Sequence, residues 1–149
     1  MFLKDLPLIM AIIRNSRKTG INREMLGHTI KRRIGPVTQE DILSYVDATL
    51  DDPSRYTESG CSAPPFYISR LLYPMFRYYM INRKLGINLL RMVHGQQTAH
   101  WMENIHEGDI LDVEMTVHDI ESSAAGETIT LRTTVYSGGK LLNMGDTIF

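Results

Sequence analysis

The side chains able to do acid, base or nucleophilic chemistry are scattered along this sequence of 149 residues. Cys61 is the single cysteine, and it lies in a polar segment without a basic neighbour to lower its pKa, which predicts an unreactive free thiol. The sequence contains none of the glycine motifs of ATP and dinucleotide sites, the H-E-x-x-H motif of zinc enzymes or the G-x-S-x-G motif of serine hydrolases. Four histidines fall in predicted strands and turns without the spacing of metal ligands, so we expect no metal site: His94, His100, His106 and His118.

The overall charge excludes two classes of partner. Sixteen basic residues nearly balance seventeen acidic ones, so neither nucleic acid nor an anionic membrane is expected to attract the chain. A single cysteine excludes an internal disulfide and favours a cytoplasmic location. The apolar run Leu6–Ile13 is too short to span a bilayer and predicts an amphipathic helix that docks on its own domain or on a partner. Binding of that helix to a membrane surface is the alternative.

A short basic run, Lys31-Arg32-Arg33, lies in a predicted strand over residues 27–34. Such a run is commonly solvated charge on an edge strand, where it discourages aggregation. The same side chains could instead bind the phosphates of a ligand that contains a nucleotide. The sequence leaves both interpretations open.

Two helices with different surroundings are predicted in the first half of the chain. Thr38 has the pattern of an N-cap with Asp41 three residues later, and an apolar face follows at helical spacing. A polar, turn-rich segment over 51–62 must then be an exposed connection. The second helix is expected to begin near Pro65 and to be largely enclosed, because residues 66–80 are apolar over more than one face. Pro74 is expected to kink or interrupt it.

The second half of the chain predicts sequential strands. Residues 89–101 are expected to form the first, and alternation of apolar and polar side chains marks the next two at 112–120 and 128–136. The turn Ser137-Gly138-Gly139-Lys140 leads into a last strand that ends at Phe149. Helices followed by an antiparallel meander describe an α+β domain whose sheet curls around the apolar helix.

Five short motifs occur in an order and spacing that resemble one family. They are Gly-Pro-Val-Thr-Gln-Glu-Asp-Ile at 35–42, Ala-Thr-Leu-Asp-Asp-Pro at 48–53, Ala-Pro-Pro-Phe at 63–66, Val-His-Gly-Gln-Gln at 93–97 and Gly-Asp at 108–109. Together they resemble the MaoC-like acyl-CoA hydratases and dehydratases, and most closely the N-terminal, often non-catalytic half of members with two hot-dog units. The resemblance implies a hot-dog domain at 27–149 after an N-terminal helical extension at 1–26.

The resemblance also implies a substrate, partners and a site. The substrate would be an acyl thioester of coenzyme A or of a carrier protein, with no cofactor beyond that coenzyme A. The partner would be a second hot-dog subunit, in a homodimer or a heteromer. Active members bind a water between an Asp and a His five residues later, and these positions are Asp51 and Tyr56 here. Since an unperturbed tyrosine titrates near pH 10, Tyr56 is a poor base at neutral pH.

The remaining expected site residues are assigned to substrate binding: Ala63, Pro64, Pro65, Phe66, Tyr67, His94 and Gly95. At the helix start, two prolines replace residues that would supply backbone N–H groups to the thioester oxygen, which leaves the N–H groups of Phe66 and Tyr67. Residues 66–79 are expected to line an acyl tunnel. Each motif taken alone also fits an ordinary turn, helix entry or strand contact.

The sequence therefore favours a subunit of an enoyl-thioester hydratase or acyl dehydratase that needs a His-bearing partner. A non-catalytic subunit that binds acyl thioesters is the alternative from a different class, because loss of the His removes the base without removing the fold. A thioesterase in which Asp51 or Glu58 activates water is a third possibility.

Overall fold

The computed structural model describes residues 6–18 and 20–149. Two 3₁₀ turns, Arg23–Met25 and Pro53–Tyr56, connect its longer elements. Those elements, in chain order, are α1 (Leu6–Asn15), β1 (Thr29–Ile34), α2 (Gln39–Thr49), α3 (Tyr67–Ile81), β2 (Gln96–Gln97), β3 (His100–Trp101), β4 (Leu111–Ser123), β5 (Gly126–Ser137) and β6 (Lys140–Ile148).

The described strands form one open antiparallel sheet in the order β1-β4-β5-β6-β2, with β3 also paired to β6. Alternation places Val113, Met115 and Val117 of β4 in the core. The predicted hairpin between β5 and β6 turns at Gly138 and Gly139, whose φ angles of 56° and 82° favour glycine at both positions. The meander predicted from the sequence is confirmed.

Helix α3 lies against one face of the sheet and completes the core. Its buried side chains contact the apolar face of β4 and β5 together with Ile42 and Val46 of α2. The hydroxyl of Tyr79 donates to the backbone oxygens of His28 (2.8 Å) and Met115 (2.9 Å), which joins α3 to the first strands. The α+β class predicted from the sequence is confirmed, with the sheet wrapped around this central helix.

The central helix is less enclosed than predicted. Phe66, Tyr73 and Tyr78 are 58%, 56% and 41% exposed, because the sheet, α1 and α2 together leave one face of the helix open to solvent. The helix runs without interruption through Pro74. Pro74 has no N–H to donate to the carbonyl of Arg70 one turn earlier. Both residues are exposed, so water can donate to that carbonyl instead.

The first predicted strand, 89–101, is wrong over most of its length. Only Gln96–Gln97 and His100–Trp101 pair with β6, and residues 89–95 form no strand. The side chain of Asn88 accepts from the N–H of Leu90 and starts a turn there. Between these two short strands the register is unchanged and the N–H of Thr98 still donates to the carbonyl of Asp146 (2.8 Å). The N–H of Asp146, however, donates to the side chain of Thr98 (3.2 Å) and not to its backbone, which interrupts the strand there.

One smaller prediction is confirmed at the start of the domain, and another gains support. Thr38 caps α2, accepting from the N–H of Asp41 at 3.1 Å. On the edge strand β1, Lys31 pairs with Glu114 and Arg33 approaches Asp112 at 3.8 Å, which supports the edge-strand interpretation of these two charges.

The amphipathic helix α1 docks on its own domain. Ala11 and Asn15 are buried, and the guanidinium of Arg14 donates to the carbonyl of Ile81 at the end of α3 (2.8 Å). Among the described residues, no helix is long and apolar enough to cross a membrane. The predicted extension at 1–26 includes residues 1–5 and 19, which lie outside the described residues.

Candidate functional site

The position of Asp51 is fixed by the way α2 ends. Leu50 adopts a left-handed conformation (φ 57°), and the N–H of Asp51 returns to the carbonyl of Val46 at 3.1 Å. Asp52 then caps the 3₁₀ turn 53–56 by accepting from the N–H of Ser54 at 3.0 Å. These two local structures bring the Tyr56 side chain back onto Asp51.

Asp51 and Tyr56 form a direct hydrogen bond. The Tyr56 hydroxyl donates to Oδ2 of Asp51 at 2.8 Å, and the N–H of Asp52 donates to Oδ1 at 2.8 Å. The bond from Tyr56, followed by that from Asp52, lowers the pKa of Asp51, and the same carboxylate raises the pKa of Tyr56. Neither group is therefore shifted toward neutrality, where a general base works best.

Two further residues contact this pair or the turn that carries it. The Arg55 guanidinium lies 3.6 Å from Oδ1 of Asp51 and 5.8 Å from the centre of the Tyr56 ring. The Gln39 amide donates to the carbonyl of Thr57 at 2.9 Å. Sequence reasoning missed both residues. The spacing of four between Asp51 and Arg55 was an available signal, whereas the contact from Gln39 depends on tertiary packing.

A surface cleft of about 490 Å³ brings Tyr56 together with the start of the apolar helix. The loop that forms its wall is held in place where Gly60 N–H donates to Glu107 (2.8 Å) and Ala63 N–H donates to the carbonyl of Ile105 (2.7 Å). The predicted site residues that line this cleft are Tyr56, Ala63, Pro64 and Pro65, and Glu58 and Cys61 line it as well. In Cys61, burial raises the thiol pKa, which agrees with the predicted unreactive thiol.

The backbone donors at the helix start are fewer than predicted. The N–H of Tyr67 is not available to a substrate, because it donates to the carbonyl of Pro64 at 2.9 Å. The Tyr67 ring is also buried, 5.7 Å from the ring of Tyr45. The N–H of Phe66 has no acceptor among the described residues, so it is the one of the two predicted donors that remains.

His94 and Gly95 do not lie in the cleft beside Tyr56. The His94 ring lies 5.3 Å from that of Phe149, and the N–H of Gly95 donates to the carbonyl of Ile148 at 2.9 Å. Both residues are exposed at the start of the outermost strand. The structure therefore separates them from the other predicted site residues.

The predicted acyl tunnel along residues 66–79 is absent from the described part of the chain. Between the first two turns of α3 and the sheet, the open space is about 20 Å³, room for about one water molecule. The described residues also contain no cluster of three or more His, Cys, Asp or Glu side chains able to hold a metal ion.

An open antiparallel sheet packed against one helix, with an acidic residue on the connection that precedes this helix, is typical of the class of hot-dog (de)hydratase proteins. Residues 24–142 match the sequence model of the FAS1-like dehydratase domain region, so the chain belongs to this family.

Known sequences and structures share part of the sequence or the fold with this chain. A UPF0336 protein of Thermobifida fusca is 28% identical over 125 residues, which cover 77% of this chain and 82% of that protein. The C-terminally truncated HadBC (3R-hydroxyacyl-ACP dehydratase) complex from Mycobacterium tuberculosis has a TM-score of 0.69 and 15% identity, over 86% of this chain and 98% of that chain.

Two further structures show the same fold. The R-hydratase PhaJ1 from Pseudomonas aeruginosa has a TM-score of 0.63 and 14% identity, over 83% of this chain and 79% of its own. A MaoC-like dehydratase from Rhodospirillum rubrum has a TM-score of 0.61 and 16% identity, over 87% and 96% of the two chains. The hot-dog fold and the MaoC-like resemblance predicted from the sequence are confirmed.

Proposed function

We propose that this chain is one subunit of an enoyl-thioester hydratase or acyl dehydratase, and that a second hot-dog subunit supplies the catalytic His. The reaction adds the oxygen of water to the β-carbon of a 2-enoyl thioester and a proton to the α-carbon, or reverses these steps. The substrate is a thioester of coenzyme A or of a carrier protein, and coenzyme A enters only as part of it. Membership of a dehydratase family supports the reaction class.

The hydrogen bond from Tyr56 to Asp51 is the observation that carries this proposal. Addition of water needs one group that removes a proton from water and another that returns a proton to carbon. Here a phenol occupies the position of the base, and the neighbouring carboxylate is held ionised by three groups, Tyr56, Asp52 and Arg55. The pair can orient a water, but a base that works at neutral pH must come from elsewhere.

The start of α3 also supports the need for a second subunit. With prolines at 64 and 65 and the Tyr67 N–H already bonded, Phe66 is the one of the two predicted N–H donors left to stabilise negative charge on a thioester oxygen. The HadBC dehydratase is a complex of two named components, which supports pairing of unlike hot-dog subunits as a workable arrangement. Pairing with a second copy of this chain would bring no catalytic His at this position.

The test follows the loss of enoyl-CoA absorbance, first with the chain alone and then with His-bearing hot-dog partners. We expect little turnover alone and substantial turnover in one mixture. Full turnover by the lone chain, abolished by Asp51→Asn, would contradict the need for a partner.

A non-catalytic subunit that binds acyl thioesters is the second candidate, favoured by the same loss of a base. It is distinguished by binding of acyl-CoA without turnover in any mixture. Release of free thiol would instead identify a thioesterase, in which Asp51 or Glu58 activates water.

The variant Tyr56→His restores the residue expected at the base position. We expect it to create or increase hydration of enoyl-CoA by the lone chain, because an imidazole next to Asp51 can titrate near neutral pH. Tyr56→Phe is the matched control, which removes the hydroxyl without adding a base. Absence of any gain in a correctly folded Tyr56→His protein would mean that this loop is not the active site.

A further inference from the structure

Helix α1 docks on the domain through one side and leaves its other side exposed. The residues that face the domain are buried or half-buried and follow one another at helical spacing: Leu8, Ala11, Ile12 and Asn15. The opposite side carries four large apolar side chains that are 48%, 42%, 58% and 69% exposed: Leu6, Ile9, Met10 and Ile13. Their spacing of three and four residues makes them neighbours on one helix face. This apolar stripe therefore marks an interaction surface.

Five exposed cations lie beyond the C-terminal end of the apolar stripe. Two follow α1 directly and three belong to the segment after α3; they are Arg17, Lys18, Arg83, Lys84 and Arg91. The amide of Asn88 donates to the carbonyl of Ser16 at 2.9 Å, which ties the two segments together. Lys18 and Arg91 also line one surface cleft. The five cations therefore form one basic patch.

The basic patch has no acidic counterpart. Within the part of the chain that the structure describes, none of its five cations forms an ion pair, and residues 6–18 and 81–102 contain no Asp or Glu. Glu127 lies beside the patch, but its carboxylate already accepts from the N–H of Ile21 (2.7 Å) and the hydroxyl of Ser122 (3.3 Å). The even balance of charge over the whole chain thus conceals one basic side.

We propose that α1 and the basic patch form a docking surface for an anionic lipid bilayer, with α1 lying along the bilayer surface. A helix of 10 residues is too short to span a bilayer. A helix that lies in the interface buries its apolar side below the headgroups, while neighbouring Lys and Arg side chains contact the lipid phosphates. The apolar stripe and the basic patch supply these two contacts side by side.

Other occupants match only half of this surface. In a symmetric contact with a second copy, each basic patch would meet a surface that has the same charge and no acidic residue to pair with. Nucleic acid would pair with the cations through its phosphates but would leave the apolar stripe in water. An anionic bilayer pairs with the cations and also removes the apolar side chains from water.

The docking surface lies at the end of α3 that is opposite the cleft beside Tyr56. Arg14 of α1 contacts the carbonyl of Ile81, the last residue of α3, whereas Pro64 and Pro65 line the cleft just before the helix begins. A helix of 15 residues is about 22 Å long. Docking on a bilayer therefore leaves the cleft open, and the inference is independent of the proposed reaction.

The first experiment measures co-sedimentation of the full chain with lipid vesicles. The vesicles consist of phosphatidylcholine alone or of an equimolar mixture of phosphatidylcholine and anionic phosphatidylglycerol. We expect binding to the mixed vesicles to be at least about tenfold tighter, because several cations lie at the surface. In about 1 M salt, where charges are screened beyond about 3 Å, this difference should disappear.

A double variant tests the basic patch. Arg83→Gln with Lys84→Gln should weaken binding to the mixed vesicles about twentyfold, since each cation close to an anionic surface contributes about fivefold. Lys31→Gln with Arg33→Gln is the matched control, because it removes the same charge from strand β1, where both cations face acidic residues. The control should change binding by less than about twofold.

A single variant tests the apolar stripe. Met10→Gln should weaken binding to the mixed vesicles about tenfold, because a polar side chain would have to enter the apolar layer. Met102→Gln is the matched control, since Met102 is 47% exposed and is bonded through its N–H to the carbonyl of Leu142, next to the hairpin of β5 and β6. Circular dichroism establishes that each variant is folded.

The outcomes either support or overturn the inference. Equal binding to both kinds of vesicle, or binding to neither, would overturn it and leave the proposed function standing, because turnover is measured without lipid. Sedimentation velocity tests the second copy as occupant. If Met10→Gln dissociates an oligomer without changing vesicle binding, the stripe is covered by another copy of this chain and the inference is wrong.

Discussion

The pair formed by Tyr56 and Asp51 is a hydrogen bond between a phenol and an ionised carboxylate. The phenol occupies its position with only 8% of its surface exposed and donates directly to the carboxylate. A His at this position would exchange protons near neutral pH, whereas a phenol bonded to an anion keeps its proton. The carboxylate in turn stays ionised, so the pair is a stable polar contact and not an acid/base couple.

The variant Tyr56→Phe tests this electrostatic coupling. The bond from Tyr56 is the largest cause of the lowered pKa of Asp51, so its loss should raise that pKa toward the ordinary value of about 3.9. Carbon-detected NMR of the side-chain carboxyls, titrated over the acidic range, measures the change. Tyr73→Phe, which removes an exposed hydroxyl far from any carboxylate bond, is the control. An unchanged pKa of Asp51 in Tyr56→Phe would show that the hydrogen bond does not form in solution.

Between strands, the clearest ionic contact joins β5 to β6. Arg132 donates two hydrogen bonds to the carboxylate of Asp146, at 2.8 Å and 2.7 Å, and its bonds lower the pKa of Asp146. A carboxyl whose folded pKa is lowered stabilises the fold above its unfolded pKa, and this contribution is lost as the pH falls through the folded pKa.

We therefore expect Asp146→Asn to lower the free energy of unfolding at pH 7 by about 1 kcal/mol, the value of a partly exposed bidentate pair. At pH 3 or below, the difference between variant and wild type should shrink toward zero, because the wild-type carboxylate takes up a proton. Urea denaturation of the wild type and the variant at pH 7 and pH 2.5 measures this difference in the free energy of unfolding. A difference that is the same at pH 7 and pH 2.5 would contradict an ionic origin.

The approach of β6 to the connection between β2 and β3 depends on a single glycine. A Cβ at Gly145 would collide with the backbone oxygen of Thr98, and backbone atoms cannot move aside cheaply. We expect Gly145→Ala to destabilise the fold by about 2 kcal/mol, typical of overpacking in a core. Gly95→Ala is the matched control, since its Cβ would meet the Ile148 oxygen at an ordinary 3.7 Å. Thermal unfolding compares the two, and equal melting temperatures would be inconsistent with the close crossing.

A feature of this molecule could be predicted from the sequence where the residues that determine it lie close together in the chain. Thr38 caps α2 through a bond three residues away, and the alternation in β4 needs no knowledge of its neighbours. The close approach of Thr98 to β6 depends on Gly145, which is 47 positions further along the chain, so no local pattern reveals it. The same holds for the site: the pairing of Asp51 with Tyr56 is local, whereas the contact from Gln39 to Thr57 depends on tertiary packing.

For the molecule as a whole, the question is where the hot-dog domain begins. The predicted boundary at 26/27 stays a prediction, and the family match begins at residue 24. Residues just before the boundary are bonded to the body of the domain. Asn22 N–H donates to the carbonyl of Leu85 (3.0 Å), Arg23 donates to that of Ile120 (2.9 Å), and Met25 is a buried member of the core.

Two truncated chains separate the contributions of α1 and of this connecting segment. A chain that starts at Gly20 loses α1, which buries only Ala11 and Asn15 fully, so we expect it to fold with a modest loss of stability. A chain that starts at Gly27 also loses Met25 and its neighbours, and should be less stable by a further 2–5 kcal/mol, roughly the cost of emptying a buried Met site. Met25→Ala in the full-length chain is the control for that side chain alone. Urea unfolding of the three proteins gives the comparison, and equal stability of the two truncated chains would place the true boundary at residue 27, because the segment 20–26 would then add nothing to the core.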